Sequence, residues 1–318
     1  MTTRCLICGA EASEVDRGYH PACARKLFGR PEAPRFDYTT EELNAMAERI
    51  IRNRMSVPGV QAKLSVHLER KGTGTPDRLT LVGLEGNYIL KLPTERFPEL
   101  PESEHACMSL ARVAGIATAD FGLVRLQSGA LAYLSRRMDR PDGGVLHMED
   151  FCQLSDRITT EKYRASMESV GKALRAYSSA PGLDAIRLYE LVLFCFLTGN
   201  SDMHLKNFSL LRHPDGAWNL APAYDLVPAS LHMPDEKEEL ALTLDGKKSN
   251  FSHRNFKRFA ANLGLTPQQR ERAEQRILSA MRENLDAVLA RSFLSAGFQG
   301  RLRALVAQRK LCFQRLAL

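Results

Sequence analysis

Nowhere do the 318 residues approach the roughly 18 to 20 consecutive apolar positions that a bilayer-spanning helix needs. The longest apolar stretch, Leu188 to Thr198, is interrupted by Tyr189 and Glu190. The opening MTTRCLICGA has neither the charged start and apolar core nor the small-residue cleavage site of a secretory leader, so the expected compartment is the cytoplasm, with no membrane partner. Internal repeats and low-complexity tracts are absent as well. An even set of cysteines is also missing: there are seven, which with no export signal argues against a disulfide framework.

What is present suffices for two packed lobes. The chain is 44% hydrophobic, and its length fits two domains at about 150 residues each. Lys and Arg total 44 against 37 Asp and Glu, a net charge of +7. Such an excess favours polyanionic partners, but much of it is arginine scattered over helical faces in the C-terminal third, which reads as solvated surface.

Cys5, Cys8 and Cys23, with His20 among them, fall in a short module over residues 1–35 that ends in a Pro-containing linker. Cys5-x-x-Cys8 followed by His20-x-x-Cys23 offers three thiolates and an imidazole in two close pairs, the arrangement tetrahedral zinc favours. So short a segment buries little core without a staple. All four positions would be protein, so the metal would be structural; the bland alternative is a set of reduced surface cysteines. Cys107, Cys152, Cys195 and Cys312 sit among apolar neighbours and read as packing residues.

Residues 36–140 read as a β-rich lobe. Thr39 and Glu42 fit a capping box opening a helix through about Arg54. SVPGVQAKLSVHLE, LTLVG and NYILKLP then read as strands of a small antiparallel sheet. Pro101 to Gly115 reads as a helix, and FGLVRL and LAYLSRR as two more strands. From about Met148 the chain turns helical, through EKYRASMESVGKALRAYSS and LDAIRLYELVLFCFLTG to a helical tail from 252 onward, so 141–318 form a helical lobe. The expected class is α+β, two-lobed and kinase-like.

The densest polar cluster follows the most apolar helix, in LTGNSDMHLKNFSLLRHPDGAWNLAPAYDL. FSLL and WNLAP read as a hairpin across a PDG turn, which brings Asp202 and Asn207 on one side toward Asp225 on the other. Kinase chemistry needs an acid to orient the acceptor hydroxyl, an Asn for one metal ion and an Asp for metal against the phosphates. Asp202 and Asn207 stand five apart, as in a protein-kinase catalytic loop, although the preceding arginine is absent and Asp225 lies in A-Y-D-L. Asn and Asp are also ordinary turn formers, so turn and cap roles stay open on spacing alone. The first lobe adds a glycine turn over Val57 to Lys63, a lone Lys91 in an apolar strand, and Glu104 on the next helix. A buried lysine needs a partner, and Glu104 is the natural one, holding Lys91 toward the phosphates.

With these residues in view, SVPGVQAKLS, YILKLP, ESEHACMSLA, HMEDFCQ, GNSDMHLKNFSL and APAYDL resemble the HipA-like serine/threonine kinases of bacterial toxin–antitoxin systems, over roughly residues 50 to 310. The resemblance implies ATP and Mg2+ as cofactors, Asp202 as catalytic base, Lys91 on the ATP phosphates, and Asn207 with Asp225 on magnesium. His204, Lys206 and Tyr224 fall in the matching ATP-site segments. Pro58, Gly59, Val60, Gln61, Ala62 and Lys63 correspond to the family's phosphate loop, and Arg136, Arg137 and Met138 to its hinge between lobes. Ser56 matches the position at which these kinases autophosphorylate; a phosphate there adds about −1.5 to −2 charge beside the phosphate loop and interferes with nucleotide binding.

The chain departs from the full-length pattern. Only the Cys/His module precedes the kinase region, so the resemblance is to compact HipT-type toxins. The partners implied are an antitoxin with a helix-turn-helix domain, a small protein resembling the missing N-terminal subdomain, and DNA only through the antitoxin complex. Compact members often carry S-x-S, whereas this chain reads Ser56-Val57-Pro58; proline accepts no phosphate and lacks an N–H, which puts two-site regulation in doubt. The substrate class implied is an aminoacyl-tRNA synthetase or a similar translation component. The rival readings are a small-molecule phosphotransferase of the aminoglycoside-kinase type and a catalytically silent DNA-binding regulator.

Overall fold

A computed structural model describes residues 3–12, 16–53, 61, 63–72, 75–82, 85–141 and 144–314. The chain divides into two compact units, Met1–Ala106 with Ala119–Gly144 and Ala290–Leu294, and Cys107–Thr118 with Val145–Leu289 and Ser295–Leu318.

The first unit opens with two short paired strands, β1 (Thr3–Arg4) and β2 (Glu11–Ala12), followed by helix α1 (Pro21–Phe28). Pro21 stands at the start of α1, where its missing N–H removes no helix bond. Helix α2 (Thr40–Asn53) is entered through the expected capping box: the Glu42 N–H donates to Thr39 Oγ1 at 3.2 Å and the Thr39 N–H to Glu42 Oε2 at 2.9 Å.

Next come β3 (Lys63–Glu69), β4 (Arg78–Val82), β5 (Tyr88–Lys91), helix α3 (Leu100–Val113), β6 (Phe121–Arg125) and β7 (Leu131–Arg136). The five strands form one antiparallel sheet in the order β4-β3-β5-β7-β6. Its period-two pattern is clearest in β3, where Leu64, Val66 and Leu68 point inward while Lys63 and His67 face solvent.

In the second unit β8 (Met148–Asp150) precedes α4 (Met167–Tyr177), α5 (Pro181–Thr198), the hairpin β9 (Ser209–Arg212) and β10 (Trp218–Leu220), α6 (Ala229–His232), α7 (His253–Asn262), α8 (Pro267–Arg291) and α9 (Ala296–Gln314). Helix α5 is buried all round from Leu188 to Thr198, as its near-continuous apolar sequence requires. Among the described residues no helix is long and apolar enough to cross a membrane.

Two details differ from the sequence pattern. Met148–Asp150 is a strand, pairing with β9 to make a three-stranded sheet with β10; three residues are too few to carry a period. The helix read from Glu161 starts only at Met167, because Ser166 and Ser169 exchange side-chain-to-backbone hydrogen bonds at its N-cap and halt it there.

Candidate active site

Each unit carries part of the polar set. In the first, Lys91 ends β5 opposite Lys63 of β3. Its ammonium donates to Glu104 Oε1 at 2.6 Å, with side chains 5% and 1% exposed. The ammonium also lies 5.4 Å from the centre of the Tyr133 ring. A buried cation without such partners would be costly; here α3 delivers the compensating carboxylate. Gln61 Nε2 donates to the Leu92 carbonyl at 2.7 Å, tying the chain just before β3 to the end of β5. Ser56, Pro58, Gly59, Val60 and Ala62 lie outside the described residues.

The three candidate hinge residues run off the end of β7. The Arg136 N–H donates to the Asp120 carbonyl at 2.7 Å and the Arg137 N–H to the Asn87 carbonyl at 2.9 Å. The Arg137 guanidinium grips both oxygens of Asp139, at 3.0 and 2.6 Å. Met138, partly buried, lies between them.

In the second unit the catalytic-loop candidates converge. Helix α5 stops at Gly199, whose φ of 72° belongs to the left-handed region and whose absent Cβ would sit 2.3 Å from Ser230 Oγ. Asn200 then bridges the loop: its Oδ1 accepts from the Asp202 N–H at 3.3 Å and its Nδ2 donates to the Asp225 carbonyl at 3.4 Å. Asn207 Nδ2 donates to the Asp202 carbonyl at 3.1 Å from a short 3₁₀ turn, Leu205–Asn207. The hairpin returns the chain, with the Ala221 N–H on the Ser209 carbonyl at 2.9 Å. Asp225 has a φ of 59°, a conformation aspartate tolerates better than most residues and one found at functional sites. Tyr224 donates to the Lys206 carbonyl at 2.9 Å and shares a 2.6 Å hydrogen bond with Ser209, while Lys206 pairs with Asp150 of β8 at 2.7 Å. His204 is buried edge-to-face against Tyr163, ring centres 5.0 Å apart.

Three partners were not legible in the sequence. Asn200, Asp150 and Tyr163 all support the loop, and the Tyr163 hydroxyl donates to Asp202 Oδ1 at 2.5 Å. Burial, and then the Asp202 charge, keep that phenol protonated far above its ordinary range. Asp150 lies in HMEDFCQ, whose strand was too short to recognise; Tyr163 is 39 residues from Asp202 and carries no local signal.

The donor set suits the group the chemistry calls for. Asn207 commits its amide nitrogen to the Asp202 carbonyl, and its amide oxygen and the Asp225 carboxylate are oxygen donors of the hard type that could hold Mg2+. In the first unit Cys5, Cys8, His20 and Cys23 place their ligand atoms within 4.8 Å of one another, a group able to hold a metal ion. The Cys8 thiol hydrogen-bonds to Cys5, lowering Cys5 to about 4 and pushing Cys8 up, while burial raises Cys23.

Together the sheet with its lysine–glutamate pair and the helical unit with its Asp–Asn–Asp loop make a kinase-like α+β protein. The model of the HipA-like C-terminal domain matches residues 55–288, and the chain belongs to that family. Putative kinase Y4dM of Sinorhizobium fredii is 34% identical over 187 residues, covering 55% of this chain and 45% of that protein. The serine/threonine-protein kinase toxin HipA of Shewanella oneidensis is 28% identical over 214 residues, covering 60% and 47%. The chain thus spans about half the length of these curated relatives. Among solved structures, HipA in the Shewanella oneidensis complex of HipA, HipB and operator DNA aligns with a TM-score of 0.68 at 22% identity, over 84% of this chain and 71% of that one. The Helicobacter pylori proinflammatory kinase CtkA aligns at 0.51 and 15% identity, over 78% and 93%.

Proposed function

We propose that the chain is an ATP-dependent serine/threonine protein kinase and the toxin of a toxin–antitoxin pair. The observation that carries this is the clamp around Asp202: Asn200, Asn207 and Tyr163 fix its backbone and carboxylate, while Asn200 ties Asp225 to the same loop. Asp202 is the base that orients an acceptor hydroxyl and takes its proton. Asn207 and Asp225 hold Mg2+, and Lys91, fixed by Glu104, holds the α- and β-phosphates. Mg2+ when bound offsets the charge of the transferring phosphoryl group. His204, Lys206 and Tyr224 support the loop by packing and hydrogen bonding, and residues 58–63 with Arg136, Arg137 and Met138 contact the nucleotide.

The natural acceptor is an aminoacyl-tRNA synthetase or a similar translation component, and Ser56 is the autophosphorylation site. The kinship with a HipA found with HipB and operator DNA supports a DNA-binding antitoxin as partner, with DNA reached through it, and a cytoplasmic setting.

Intact-mass spectrometry of the full chain with Mg-ATP tests the reading. A phosphate on Ser56 in the native chain, absent from Asp202→Ala, is the expected result. Phosphate retained by Asp202→Ala removes Asp202 from the base role, and absence of both added mass and Mg-ATP binding by calorimetry overturns the kinase reading.

A further inference from the structure

Four side chains of the first unit converge on a point that phosphoryl transfer does not use, and local backbone geometry puts them there. Around Cys5 and Cys8 the chain folds back: the Gly9 N–H donates to the Cys5 carbonyl at 2.8 Å and the Cys5 N–H to the Ala10 carbonyl at 3.0 Å. Gly9 makes the turn at a φ of 71°, where a Cβ would fall 2.2 Å from the Arg291 carbonyl oxygen. His20 is the N-cap of α1 and Cys23 lies in its first turn, a spacing of three that sets both on one face at the end of the helix that favours thiolate.

The resulting span is that of a metal site. His20 Nδ1 lies 3.4 Å from Cys8 Sγ and 3.9 Å from Cys23 Sγ, and the His20 backbone N–H donates to Cys5 Sγ at 3.4 Å. Tetrahedral zinc, with bonds of roughly 2.3 Å to sulfur and 2.0–2.1 Å to nitrogen, separates its ligand atoms by roughly 3.5 to 3.8 Å. Three thiolates and one imidazole fill all four corners.

We propose that Cys5, Cys8, His20 and Cys23 hold one Zn2+, and that the filled knuckle is a staple fixing edge strand β6 and the first turns of α3. The Leu6 carbonyl accepts from the Leu123 N–H of β6 at 2.8 Å, and the Tyr19 hydroxyl donates to the Leu123 carbonyl at 2.7 Å. Between the two cysteines, the Ile7 carbonyl accepts from His105 Nε2 at 2.9 Å. His105 follows Glu104 on α3, and its ring packs edge-on to Phe121 and Phe293 at 5.4 and 5.8 Å. Leu6, Ile7, Tyr19, Leu27 and Phe28 are buried, too small a core to order the knuckle without a cross-link. His105 is therefore a positioning residue: through it the metal sets the helix that aims Glu104 at Lys91. The metal site stands on the quartet alone; only its consequence for Lys91 rests on the kinase reading.

Metal analysis of the full chain purified without added metal is expected to find one zinc per chain. Co2+ exchanged into it is expected to give the intense visible bands and thiolate charge transfer of a tetrahedral site. Chelation should speed amide exchange roughly tenfold or more over residues 100–106 and 121–125 while leaving α5 unchanged. Cys8→Ser and Cys23→Ser should lose the metal, whereas His105→Phe should keep it and show the faster exchange at 100–106 alone. A chain that holds no zinc after repletion, or a weak octahedral cobalt spectrum, overturns the site. A loaded chain whose 100–106 amides ignore chelation, or His105→Phe with unchanged exchange there, overturns the staple. None of these measurements uses nucleotide, so a failed kinase assay does not bear on them.

Discussion

The Tyr163 hydroxyl donates to Asp202 Oδ1 at 2.5 Å, placing a tethered O–H on the carboxylate proposed to receive a substrate hydroxyl. An acceptor has to displace this donor or take the other oxygen. Tyr163→Phe removes the competitor, so the KM for the protein acceptor is expected to fall, by roughly threefold to tenfold for a hydrogen bond worth about 1 kcal/mol. The KM for ATP and the melting temperature should hold. Steady-state kinetics check this, and a rise in the acceptor KM would make Tyr163 an orienting group.

Lys91 and Glu104 separate stability from function. Lys91→Met takes the ammonium away from the buried Glu104 carboxylate, and breaking a buried ion pair in this way is expected to cost about 3 to 5 kcal/mol. The double variant Lys91→Met with Glu104→Leu should recover most of that, because an apolar pair of similar volume needs no compensation. Neither variant should bind Mg-ATP. Urea unfolding and calorimetry on the same samples give both answers.

Gly199 ends α5 where no side chain fits. Gly199→Ala forces a Cβ into the left-handed region and to 2.3 Å from Ser230 Oγ. The expected loss exceeds about 1 kcal/mol, seen as a lower urea midpoint at unchanged slope. Because the turn launches Asn200, turnover should fall with it.

Glu102, in the first turn of α3, has a buried Oε2 with no hydrogen-bond partner among the described residues, and burial raises its pKa. A raised carboxyl binds its proton more tightly in the folded state than in the unfolded one. Stability therefore falls as pH climbs from the unfolded value of about 4.3 through the raised one. Glu102→Gln is expected to be more stable than the native chain near neutral pH, with the gain vanishing toward about pH 4. Urea midpoints at the two pH values test it.

The strands of the first unit were legible because β3, β5 and β7 alternate or run apolar between turn residues, and the Thr39–Glu42 box announced α2. The loop from Gly199 to Asp225 was legible because its polar residues crowd against the most apolar helix. Ser166 was not, since serine caps a helix only where tertiary packing lets it begin. The Tyr163–Asp202 and Lys206–Asp150 contacts join positions 39 and 56 apart, and no periodicity encodes them. The ring of contacts around His105 was hidden for the same reason: its partner is a backbone carbonyl 98 residues away.

The Tyr19-to-Leu123 bond that closes the β6 edge spans 104 residues, and this gives the knuckle a place in time. A growing chain completes the knuckle first and then adds about a hundred residues, roughly 5 to 20 seconds of synthesis, before β6 exists to meet it. The template for the β6 edge of the sheet is thus made ahead of the sheet itself. If the proposed zinc is withheld during synthesis, new chains should accordingly reach β6 with that edge unmet, whereas chains already folded have it closed.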